Sequence, residues 1–284
     1  MDNVRCVIHL SMNNIRRWTA NPRICVIMIL GAMWIQFLVG PLLMFSQSVN
    51  VKITPWAFPF TQTYWYPTMI IMLGVVLLFC DAPFMNNSTP YECIRGGKKR
   101  WVSGQLTYVM IASLIYVLFL VLVSILCLLP NIDFSGEWGK VYNTLAQTNA
   151  GPEYGVFIPI SYNIILSYTP LEAMLLTSLM LFLETVFVGL VMFALNLVTK
   201  RIGGIFAGLL LAFMPAFASV VGTMQFYYFA PTAWANLSMM DTNVQTMYPS
   251  LAYAVCFLLI SITFLVMFIC KIYKRREIEV LMPV

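Results

Sequence analysis

Apolar residues fill six long blocks of this chain, roughly 24–46, 64–83, 102–129, 171–198, 203–223 and 249–270, separated by polar breaks of unequal length. Each block is close to the about 20 residues that a helix needs to cross a hydrocarbon core of about 30 Å. Ahead of the first block the pattern changes. Val4, Ile8, Met12, Ile15 and Trp18 recur at helical spacing while Arg5, His9, Asn13, Arg16 and Arg17 take other positions, which predicts an interfacial amphipathic helix within 1–22. Asn21-Pro22 then breaks that helix before the chain turns into the membrane. His9 is expected to be a solvated member of the polar face, since an isolated imidazole has no visible partner.

Two connections between blocks are long. The first, after block three, carries Gly136, Gly139, Gly151, Pro152, Gly155 and Pro159 before an apolar stretch from Val156 to Tyr168, and is expected to fold into a cap with an interfacial or re-entrant piece. The second, between blocks five and six, holds Phe226, Tyr227, Tyr228, Phe229, Trp234 and Tyr248. Such rings suit the headgroup level, and a belt is a better reading of them than a substrate gate.

Composition places the solvent for most of the chain in lipid. Of its 284 residues 61% are hydrophobic and 10% charged, where a soluble domain carries about 25% charged residues. The expected fold is therefore an all-α integral membrane protein: an interfacial helix at 1–22, a six-helix transmembrane domain at 23–271 and a tail at 272–284. The first block has no cleavage site after it and is expected to remain as a span. Net charge is +5, but its placement matters more than its size. Fourteen of the 16 basic residues fall before block one, between blocks two and three, between four and five, or after six; Lys52 and Lys140 are the exceptions. That face is cytoplasmic by the positive-inside rule, so both termini are expected inside, and the charge does not point to nucleic acid.

Catalytic constellations are sparse. One histidine and seven cysteines, the nearest pair thirteen residues apart, give neither CxxC nor HExxH spacing and no extracellular disulfide framework. There is also no GxxxxGK[ST] phosphate loop; Gly96-Gly97-Lys98 lacks both the spacing and the preceding strand.

The break between blocks two and three is the most informative. Thr89 is placed to cap a short helix, Pro90 stands at its first position, Glu92 completes a capping box, and Gly96 or Gly97 ends it in a left-handed conformation. The local pattern fits equally a rigid cytoplasmic helix joined to two spans or a solvated basic turn anchoring the third. The segment Asp81-Ala82-Pro83-Phe84, followed by Ile94-Arg95-Gly96-Gly97-Lys98-Lys99-Arg100-Trp101-Val102-Ser103-Gly104-Gln105, resembles the export-type (type-2) ABC transporter permeases of bacteria. The likeness extends over the order of elements in the whole chain. It implies that two permeases, an identical pair being the simpler case, assemble in the plasma membrane above two ABC ATPase subunits. ATP and Mg would sit on those ATPases, and this chain would hold no cofactor and do no covalent chemistry. The resemblance makes Pro90, Tyr91, Glu92, Cys93, Ile94 and Arg95 the coupling helix that the ATPase grips.

Inside the membrane, Glu184 lies roughly 20 Å from Pro170 and roughly 24 Å from Lys200 along a helix, near mid-bilayer. A carboxylate facing lipid there costs several kcal/mol, so it is expected to face protein or a cavity, with Gln36 at similar depth as its partner. Glu184 is either a satisfied structural group or, together with Gln36, part of the substrate path or subunit interface. In block five Gly204, Gly208, Ala212 and Ala216 form a small-residue stripe that permits close helix approach, within the subunit or against a second permease. The resemblance favours the second permease. Few intramembrane charges among 19 Met and many aromatic residues favour a hydrophobic or amphipathic substrate, such as a peptide or toxin, moved outward. An ion- or proton-coupled carrier using Glu184, or a membrane immunity or scaffold protein that transports nothing, are the alternatives.

Overall fold

The computed structural model describes residues 2–84, 91, 93–94, 97–199, 202–241 and 247–275. Its named helices are α1 (Asp2–Arg16), α2 (Pro22–Ser48), α3 (Trp65–Phe79), α4 (Lys98–Leu128), α5 (Gly139–Gln147), α6 (Ala150–Glu153), α7 (Tyr162–Ser167), α8 (Pro170–Thr199), α9 (Ile202–Val221) and α10 (Leu251–Arg275). Among the described residues no β-strand forms, only two isolated bridges. The helix starts follow local chemistry. Asn21 caps α2 by accepting from the Arg23 N–H at 3.2 Å, with Pro22 at the first position. At α8, Thr169 N–H donates to Glu172 at 3.0 Å and Glu172 N–H to Thr169 Oγ1 at 3.4 Å, a reciprocal capping box ahead of Pro170.

Helices α2, α4, α8, α9 and α10 are long and apolar enough to cross a membrane. The chain is an all-helical, multi-pass membrane protein. α8 is the central span, packed against α3, α4, α9 and α10, while α2 lies on α3 and α4. The expected block 64–83 is shorter as a helix: α3 has 15 residues, about 22 Å. Pro83 keeps the residue before it out of the helical region, so Asp81–Phe84 leaves the helix. On the opposite side a 3-10 turn, Phe58–Gln62, leads into α3 with all five residues buried. A tight 3-10 turn, rather than α-helix, is therefore packed inside protein before a short span.

The amphipathic helix forms, with a packing arrangement that the stripe alone did not foretell. Ile8 and Met12 are exposed, as is His9. The neighbouring face is docked on α4: a β-carbon at Gly104 would stand 2.9 Å from the Leu10 Cβ, and Trp18 Nε1 donates to the Tyr108 hydroxyl at 2.9 Å. A glycine about two turns into α4 thus fixes where α1 crosses it.

The expected cap over 130–170 is folded. Ile53 N–H donates to Asn131 O at 3.0 Å and Asp133 N–H to Ile53 O at 2.8 Å. Tyr142, fully buried on α5, donates its hydroxyl to Thr54 O at 3.0 Å, and Thr63 Oγ1 donates to Pro159 O at 2.9 Å. The cap is thereby bonded to the chain that precedes α3.

Candidate functional site: a pinned re-entrant segment and a bonded joint

Between α9 and α10 the chain does not stay at the membrane surface. Residues 230–237 are almost entirely buried, and their bonds reach the half-length of two spans. Thr232 Oγ1 donates to Leu211 O at 2.6 Å. That carbonyl is four residues before Pro215, which has no N–H to offer it, so a side chain from the re-entrant segment replaces the missing helix bond. Glu184 Oε1 accepts the Ala235 N–H at 2.6 Å, and Asn236 Nδ2 donates to Thr63 O at 3.1 Å. The Trp234 indole donates to Tyr227 O at 2.7 Å and sets its ring edge-on to Tyr253 and Phe257 of α10. Non-helical backbone survives at membrane depth where protein satisfies its polar groups, and here α8, α9 and the turn before α3 each supply a partner.

Glu184 is fully buried. Its described partner is backbone rather than Gln36, which corrects the expected pairing. Gln36 lies exposed on α2, because its face of that helix turns away from α8. Among the described residues Glu184 Oε2 has no hydrogen-bond partner. Beside the pinned segment, a cavity of about 60 Å³ is lined by residues that include Thr63, Thr68, Pro215, Ser219, Tyr227 and Asn236. The aromatic connection is therefore more than a belt: Tyr227 and Trp234 are buried, whereas Phe229 is exposed.

The small-residue stripe of α9 packs inside the subunit, against the expectation of a permease interface. Gly204 and Gly208 are buried, and a β-carbon at Gly208 would stand 2.8 Å from Met192 Sδ of α8 and 3.2 Å from Val76 of α3. Gly204 N–H donates to Asn196 Oδ1 at 3.0 Å. Ala212 is buried and Ala216 partly so. The stripe lets α9 close onto α8 and α3, and the bulky Phe206, Phe213 and Phe217 are what it exposes.

At the basic end, the non-helical segment Asp81–Phe84 is held by three spans. Arg23 of α2 pairs with the Asp81 carboxylate and donates to Cys80 Sγ at 2.8 Å. Asn196 Nδ2 of α8 donates to Ala82 O at 2.7 Å, so one amide joins this segment to the start of α9. Gln105 of α4 accepts the Phe84 N–H at 3.3 Å and donates to Phe84 O at 3.2 Å. The Phe84 ring lies edge-on to Tyr108 at 4.6 Å.

Beyond this joint, Tyr91, Cys93 and Ile94 are helical, and Gly97 N–H closes on Cys93 O at 2.9 Å. Gly97 has φ of 80°, the left-handed stop expected there. Cys93 is buried, while Tyr91 and Ile94 are 69% and 81% exposed. Pro90, Glu92 and Arg95, with the Thr89 cap, lie outside the described residues.

Of the site residues read from sequence, the structure brings together Glu184 with the re-entrant segment, and Tyr91 and Ile94 with the outward side of the loop. It separates Gln36 from Glu184. Sequence reasoning passed over Asn196, Gln105, Arg23 and Thr232. The first two had a signal, a primary amide within an apolar block, and Thr232 had one in the carbonyl that Pro215 leaves free. No protein-family model, curated protein or solved structure matches this chain.

Proposed function

We propose that this chain is the membrane subunit of an ATP-driven ABC exporter of the bacterial plasma membrane, moving a hydrophobic or amphipathic substrate, most simply a peptide or toxin, out of the cell. In this reading α3 is a sixth span, completed by the buried turn before it, and both termini are cytoplasmic. Two ABC ATPases dock beneath a pair of permeases, and ATP and Mg sit on the ATPases.

One observation carries the reading. Two large apolar side chains, Tyr91 and Ile94, project from a short helical stretch on the basic side of the molecule, and that stretch follows a joint bonded to α2, α4 and α8. Exposed apolar anchors on a cytoplasmic loop are what a docking protein buries. A joint tied to three spans is what converts a push on the loop into movement of the bundle. Glu184, sealed from solvent and bonded to the Ala235 backbone, supports a structural anchor more than a carrier's exchangeable proton site.

The test is purification of the tagged full chain in mild detergent, with its companions identified by mass and by ATP hydrolysis. The expected outcome is a stoichiometric ATPase that is lost from the double variant Tyr91→Ala, Ile94→Ala while the chain keeps its monodisperse profile. A folded, transporting chain without any ATPase overturns the exporter.

A further inference from the structure

Helix α2 carries a polar side chain that neither the bundle nor the membrane satisfies. Gln36 is the fifteenth of its 27 residues, about 21 Å from the first and about 18 Å from the last, too deep to reach the headgroups. It is exposed, and among the described residues its amide has no hydrogen-bond partner. Other polar groups on exposed span faces satisfy themselves: Thr263 donates to Leu259 O at 2.7 Å and Ser178 to Met174 O at 2.7 Å. A carboxamide has two N–H donors as well as an acceptor, and lipid tails offer nothing to either.

We propose that this face of α2 is covered by the same face of a second copy, with Gln36 hydrogen-bonded to Gln36 across a two-fold axis normal to the membrane. The two copies have the same orientation in the bilayer, so an isologous contact sets equal depths against each other. A primary amide is its own complement, donating N–H to the partner's C=O and accepting in return. Val26, Leu30, Met33 and Phe37 are all exposed beside it, at the alternating spacings of four and three that pack one helix along another, and Met44 follows seven residues after Phe37 on the same face. Gly40, one turn on, gives the Gln36 amide room to lie along its own helix, since a β-carbon there would stand 3.3 Å from Gln36 Nε2. α10 provides the contrast: beside its exposed Leu259, Ile260, Phe264 and Met267, the exposed Thr263 satisfies its hydroxyl on its own helix. The interface assigned to the α9 stripe by sequence thus moves to α2. The inference rests on the proposed function only for the presence of a second permease.

Native Cys25 is exposed on the same helix, eleven residues before Gln36 and within about 20° of it around the axis. The experiment uses full-length chain in native membranes, with all seven cysteines replaced by alanine and a single cysteine added. Copper-phenanthroline oxidation should give a covalent dimer from Gln36→Cys and none from Ile260→Cys, and restoring Cys25 alone should also give the dimer. In otherwise wild-type chain, Gln36→Leu should weaken dimerisation in lipid, read by energy transfer between labelled copies, by about threefold to tenfold. Absence of a dimer from Gln36→Cys overturns the proposal. So does modification of the Gln36→Cys thiol by a membrane-impermeant maleimide, which places position 36 in a water-filled path. A cross-linked Gln36→Cys dimer in a chain that carries no ATPase keeps this interface and removes the exporter; an ATPase-bearing complex in which Gln36→Cys gives no dimer does the reverse.

Discussion

Two side chains hold the re-entrant segment at mid-membrane, and they do so in different ways. Thr232 substitutes for an N–H that Pro215 lacks, so Thr232→Val keeps shape and orphans the Leu211 carbonyl. Leaving such a group unpaired costs about 1–3 kcal/mol. Glu184 accepts from the segment's backbone through one oxygen, and Gln offers an equivalent acceptor while Leu offers none. Thermal unfolding of the purified chain in detergent should therefore rank wild type and Glu184→Gln together, with Thr232→Val and Glu184→Leu below them by about 1–3 kcal/mol each. Equal stability of Glu184→Leu and wild type would remove the anchoring role. The burial of Glu184 was legible in the sequence because a charge in a long apolar block has one favourable direction to face. Its partner was not legible. Backbone amides from a segment about 50 residues away carry no compositional mark, whereas Gln36 was the visible polar group at matching depth.

At the scale of elements, long blocks were legible and breaks within them were not. Hydropathy marks where lipid-compatible residues run, and α2, α4, α8, α9 and α10 follow it. It does not distinguish an apolar α-helix from an apolar turn, so Phe58–Gln62 and residues 230–237 pass unnoticed into the bundle as buried chain outside the α-helices. The capping box at Thr169 and Glu172 has the same signature as the one read at Thr89 and Glu92, and could have fixed the start of α8. The α9 stripe shows the opposite failure: small residues at every fourth position state that a helix approaches closely, but not whose helix. Here it is α8 and α3 of the same chain. Gly208→Ile should consequently destabilise the isolated monomer by about 1–3 kcal/mol through overpacking against Met192, measured at detergent dilutions where no dimer persists. Destabilisation that appears only in the dimer would return the stripe to the subunit interface.

For the whole molecule the arrangement is polarised. At the end away from the basic residues, the cap over 130–170 is bonded to the chain before α3, and the re-entrant segment is bonded to that same chain through Asn236 and Thr63. At the basic end α2, α4 and α8 each bond to the stretch Asp81–Phe84, which precedes Tyr91 in the chain. In the proposed exporter, a push on Tyr91 and Ile94 would reach three spans at once only while those bonds last. Gln105→Leu removes both bonds to Phe84 and keeps the side-chain bulk, and Asn196→Leu removes the link to Ala82 and Gly204. If the joint transmits movement, either variant should retain its ATPase partner and near-normal hydrolysis while transport per ATP falls by about tenfold, the effect of losing about 1.4 kcal/mol of coupling. A purely structural joint gives another pattern, in which complex, hydrolysis and transport decline together with the amount of folded protein. Comparing ATP hydrolysed with substrate moved in sealed vesicles separates the two.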